Sequence, residues 1–73
     1  MKNKLRAYRN LLGLTQTQMA EKLGIGIVAY NRKEQGKVDF NQTEITKILE
    51  IIKREVPEVT ADEIFFSDEI TKI

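Results

Sequence analysis

Gln16-Thr17-Gln18-Met19-Ala20-Glu21-Lys22-Leu23-Gly24-Ile25-Gly26-Ile27-Val28-Ala29-Tyr30-Asn31-Arg32-Lys33 is the stretch on which the fold turns. Met19, Ala20 and Leu23 recur at helical spacing, and Thr15 with Gln18 makes a capping box at the head of that run. Gly24 follows the last apolar residue, where a left-handed backbone stops a helix and glycine takes it without a Cβ clash. Ala20 is small enough for a second helix to cross closely. That helix is expected over about Ile27–Gln35, centred on Tyr30. Two short helices joined through Gly24, Ile25 and Gly26 form a helix-turn-helix unit.

Working outward, Leu5, Tyr8 and Leu12 share one face of a helix over about Lys2–Leu12, and Gly13 lies just beyond it. On the other side Gly36 closes the third helix, and Phe40 precedes a capping box at Asn41–Glu44 as a hydrophobic staple. A fourth helix over about Gln42–Val56 carries Ile45, Ile48, Leu49, Ile52 and Val56 along one stripe until Pro57 ends it. Thr60–Glu63 opens a last turn that brings Ile64 and Phe65 to the core. No strand alternation and no internal repeat is found. The expectation is all-α: a compact four- or five-helix bundle, with residues 1–66 as one domain and 67–73 as a short C-terminal tail.

At 73 residues there is room for one small core, and 41% hydrophobic residues are enough to fill it. The chain has no Cys and no His, which removes disulfides, thiolate and imidazole metal sites, and His-based acid–base catalysis. No enzyme, cofactor or metal is expected, and Asp62 and Glu63 read as first-turn carboxylates favoured by a helix dipole. No run approaches the ~20 apolar residues of a membrane span. Lys2 and Lys4 lead into Arg6, Arg9 and Asn10 and not into the apolar stretch of a leader, so a cytoplasmic protein without membrane contact is expected. Charge is uneven. Residues 1–37 hold eight basic and two acidic side chains, a net +6, whereas residues 38–73 hold four and nine, a net −5. A basic half suits a polyanion if folding gathers those charges, and is otherwise a solvated surface.

The run Leu14-Thr15-Gln16, then Met19-Ala20-Glu21-Lys22-Leu23-Gly24, Tyr30 and Lys33-Glu34-Gln35-Gly36-Lys37 resembles the XRE family of lambda-type phage repressors and Cro-like regulators, over about residues 4–66. The resemblance implies a DNA-binding module. It implies an ion pair between Arg9 and Glu34 that fixes how the helices dock, and phosphate contacts from Gln16 and Thr17 at a helix N-terminus and from Lys33 and Lys37. As a plain surface, the same residues are a solvated amide and solubilising charges. Base reading is implied for Ile27, Val28, Asn31 and Arg32, with Arg32 suited to guanine and Asn31 to adenine or a phosphate oxygen. Ile27 and Val28 depart from the family's polar residues: they can touch thymine methyl groups but supply no hydrogen bond. Ile27 also phases with Tyr30 and Glu34 and reads equally as a partly buried residue, whereas Val28 points away from the core. Asp39 stands where relatives carry Arg or Lys, which weakens the expected affinity.

The resemblance further implies double-stranded DNA as partner, a homodimer spanning two half-sites, repression of phage or mobile-element type, and no small-molecule ligand. Ile51, off the buried stripe of the fourth helix, and Phe66, Ile70 and Ile73 are the expected dimer interface. An alternative reading keeps the fold but gives Ile27, Val28 and the C-terminal apolar residues to another protein, such as a larger regulator.

Overall fold

The computed structural model describes residues 3–66, with the backbone alone at Phe66. Among them, four α-helices follow in order: α1 (Leu5–Leu11), α2 (Gln16–Leu23), α3 (Ile27–Glu34) and α4 (Gln42–Lys53), and a π-helical turn at Asp62–Phe66 ends the described residues. No strand occurs among the described residues.

Local chemistry accounts for the helix ends. Thr15 Oγ1 accepts from the Gln18 N–H at 3.1 Å while Gln18 Oε1 accepts from the Thr15 N–H at 2.9 Å, a complete capping box; Asn41 and Glu44 repeat it at 2.8 and 3.0 Å. At Thr60 the hydroxyl accepts from the Glu63 N–H at 3.3 Å. α2 stops because Gly24 takes φ 72°, which lets the Gly24 and Ile25 N–H groups turn back to the Glu21 and Ala20 carbonyls, both at 3.1 Å. The chain then re-enters a helix two residues later, and this tight return sets α3 across α2.

Leu5, Met19, Tyr30, Ile48 and Ile52 are fully buried, and Ala20 and Leu23 nearly so, so each helix contributes to a single core. Phe40 goes beyond a staple. Its ring lies 6.1 Å from Tyr30 and 5.8 Å, edge-on, from Phe65, tying α3, the α3–α4 loop and the closing turn together. Ile64 and Phe65 close the core from the C-terminal side, and the Ile64 carbonyl accepts from the Lys4 N–H at 2.7 Å.

Four expected boundaries move, the end of α1 by one residue, from Leu12 to Leu11. α1 begins at Leu5, whose N–H is held by Asn3 Oδ1 at 3.1 Å; the other end of that amide donates to the Lys33 carbonyl at 3.1 Å, fastening α1 to the end of α3. α3 ends at Glu34, with Gln35 as its C-cap. α4 ends at Lys53 and not at Val56, because the Glu55 and Val56 N–H groups both turn to the Ile52 carbonyl, at 3.0 and 2.9 Å, ahead of Pro57. The Val59 N–H then bonds the Val56 carbonyl and Val59 is buried, a core residue the periodicity does not mark. Ile51 lies off the stripe of α4 yet is half-buried against the core. The Phe66 side chain, Ile70, Ile73 and the 67–73 tail lie outside the described residues.

Candidate nucleic-acid interface

Glu34, the last residue of α3, is where three helices meet. Its carboxylate accepts from Arg9 Nε at 2.9 Å, Arg9 Nη2 at 3.2 Å, Gln16 Nε2 at 3.2 Å and the Tyr30 hydroxyl, while Arg9 Nη1 donates to the Leu14 carbonyl at 2.8 Å. Arg9 and Glu34 are both buried, at 8% exposure each, so the pair sits in a low-dielectric setting where unmet hydrogen bonds would be costly. Burial pushes the Glu34 carboxyl up, but donation from Arg9, Tyr30 and Gln16 outweighs it and holds the group below the ordinary carboxylate range. The Tyr30 hydroxyl moves up, through burial first and then its bond to Glu34, and remains a donor.

From this buried anion a line of amides runs outward. Asn31 Nδ2 donates to Gln16 Oε1 at 3.2 Å, and Gln35 Nε2 donates to Asn31 Oδ1 at 2.8 Å. Gln16 and Asn31, for both of which the resemblance implies DNA contact, are therefore held to one another. Gln16, Thr17, Asn31 and Gln35 line one cleft with Arg6, Ile27 and Glu34. By helix geometry the N–H groups of Gln16 and Thr17 have no intrahelical acceptor, so the mouth of this cleft offers donors together with the positive end of the α2 dipole.

Along α3 a shallower groove is lined by Ile27, Val28, Asn31, Arg32, Gln35 and Lys37. Ile27 is 43% exposed and Val28 67%, so neither is spent on the core, and Arg32 and Lys37 are exposed beside them. Lys33 is placed differently. Its Nζ lies 2.7 and 2.8 Å from the two Glu44 oxygens and 6.0 Å from the centre of the Phe40 ring, with the side chain 15% exposed. It braces α3 against the start of α4 and faces away from the cleft that holds Gln16. Burial pushes the Glu44 carboxyl up, and donation from Lys33 and the Asn41 N–H overrides this and brings it below its usual range.

Sequence reasoning singles out neither Arg6 nor Gln35. Arg6 sits on α1, and only the docking of α1 beside α2 brings it to the cleft. Gln35 carries a local signal, since it lies four residues after Asn31, where helical side chains meet.

A family model described as helix-turn-helix matches residues 5–59 of the chain. No curated protein and no solved structure gives a significant match. Among the described residues no helix is long and apolar enough to cross a membrane.

Proposed function

That this chain belongs to the XRE-type helix-turn-helix family of DNA-binding regulators is the premise from which we propose a specific role: a repressor that binds duplex DNA sequence-specifically as a homodimer. α3 enters the major groove with Ile27, Val28, Asn31 and Arg32 toward the bases. Gln16, Thr17 and Lys37 face phosphates, Arg6 joins them from α1, and Lys33 acts as a brace. The observation that carries the reading is the outer side of α3, where two exposed aliphatic residues stand beside an amide and a guanidinium, flanked by the N-terminus of α2. Aliphatic groups there suit thymine methyls, and Arg32 suits the paired acceptors of guanine.

Fluorescence anisotropy on duplex DNA from upstream of the gene and on scrambled duplex, over a range of salt, tests this. Preference for the upstream duplex, with affinity falling steeply as salt rises, is expected. Arg32→Ala should weaken binding to that duplex by about 1–3 kcal/mol and relax the preference at one position. Equal, weak binding to both duplexes would move the assignment to the second reading, for which the 67% exposure of Val28 speaks: a face for another protein.

A further inference from the structure

We propose that Gln35 and Gln16 are positioning residues that hold the Asn31 amide in one of its two orientations, so that this amide meets a base with its donor and acceptor already ordered. The proposal rests on the DNA-binding reading above. An asparagine amide on a helix surface can turn over, exchanging oxygen for nitrogen, and an unheld one offers a base either order. Here the order is imposed from the buried end. Ionised Glu34 only accepts, so Gln16 must turn its NH2 inward, which leaves its oxygen facing Asn31. Asn31 must in turn present its NH2 to that oxygen, and its own oxygen is met by the NH2 of Gln35.

All three amides thus donate toward the same anion, and reversing any one sets like groups against each other. Asn31 keeps one N–H and one oxygen lone pair beyond the relay. That pair matches the major-groove edge of adenine, N7 accepting and the N6 amino group donating. Arg9 and Tyr30 are the inner anchor, because they hold Glu34 in place and charged. Gln35 is the outer latch and is exposed, so it can be changed without opening the core.

The test begins by selecting preferred duplexes from a randomised pool with the wild-type chain. The Asn31-dependent position is the one whose adenine preference disappears in Asn31→Ala. Anisotropy titrations then compare that adenine with the other three bases for Gln35→Ala, Gln35→Glu and Gln35→Lys. Glutamate cannot donate to Asn31 and attracts its NH2 outward, whereas lysine only donates and preserves the inward order. The discrimination should fall at least about fivefold in Gln35→Glu, fall less in Gln35→Ala, and be retained in Gln35→Lys, with preferences at other positions unchanged. Because each ratio is taken within one variant, its altered net charge cancels.

The side-chain amide signals of Asn31 in the free protein should move in Gln35→Glu and stay in Gln35→Lys, which reports the relay without DNA. Thermal unfolding of each variant checks that the fold is intact. An unchanged ratio in Gln35→Glu, a loss spread evenly over all positions, or an Asn31→Ala that flattens no position would each overturn the proposal. A wild-type chain that selects no sequence, with the amide signals behaving as stated, would instead overturn the DNA-binding reading and take the base-ordering role with it.

Discussion

Glu34 accepts four hydrogen bonds at the junction of α1, α2 and α3, two on each oxygen, and only the ionised carboxylate accepts all four, because a proton on either oxygen would face two donors. Because its folded pKa is depressed, its contribution to stability is fully present above the unfolded value, about 4.3, and is lost as pH falls through the lower folded value. Glu44, also depressed through Lys33 and Asn41, acts with the same sign. Urea denaturation should therefore show no change from these two groups between neutrality and pH 5, and a decline below about pH 4.3. Glu34→Ala leaves Arg9 buried without its partner and should cost about 3–5 kcal/mol, a large share of the roughly 4–11 kcal/mol expected for a domain of this length. Tyr30→Phe, which removes one bond to the charge and keeps the ring, should cost about 1.5–3 kcal/mol. At this scale the sequence is only partly legible. Resemblance leads to Arg9 and Glu34, but nothing in the sequence marks the pairing of Lys33 with Glu44, 11 residues on at the start of α4. The amide relay joins residues 15 and 18 apart in sequence, and no periodicity marks such a meeting.

Elements were the most legible scale, because caps and stops are written within four or five residues. Thr15–Gln18, Asn41–Glu44 and Gly24 needed no tertiary information. The end of α4 and the π-helical turn did, since both depend on how residues 54–66 return to the core. Gly24 and Gly26, two residues apart, make the element argument testable with opposite signs. Gly24 has φ 72°, so Gly24→Ala is strained despite open space around its Cβ and should cost about 1–2 kcal/mol. Gly26 has φ −69° and ψ 154°, ordinary extended backbone, with nothing within 4 Å of an added Cβ, and α3 begins without a side-chain cap. Gly26→Ser supplies that cap and restricts the unfolded chain, and should stabilise by about 0.5–1 kcal/mol. Differential scanning calorimetry should then show a midpoint raised by about 2–8 °C. A lowered midpoint for Gly26→Ser would mean that α3 does not start where its dihedral angles place it.

For the whole molecule, size bears on the proposed homodimer. The described residues extend 36 × 27 × 20 Å and carry one α3, while successive major-groove faces on one side of DNA lie about 34–36 Å apart. One copy thus reads one half-site, and a second copy must bring the second α3. Besides Ile27 and Val28, the exposed large apolar residues among the described ones are Leu11 and Val38, and the sequence adds Ile70 and Ile73 beyond the described residues. Ile70 and Ile73 lie in the acidic half, apart in sequence from the basic half that supplies the cleft, so a contact between two copies there need not compete with DNA. Replacing both by Asp should leave the unfolding midpoint of the domain close to wild type while sedimentation velocity shifts from dimer to monomer. Affinity for a two-half-site duplex should drop at least about tenfold, and affinity for a single half-site should not change. The salt dependence separates this from a loss of DNA contact. With the cations Arg6 and Lys37 facing phosphates, each copy should contribute a slope of about −2 in log K against log salt. The double variant should keep that slope on one half-site, and the wild-type chain should show about twice it on the full duplex. A wild-type chain that sediments as a monomer and binds both duplexes with the same slope would overturn the homodimer.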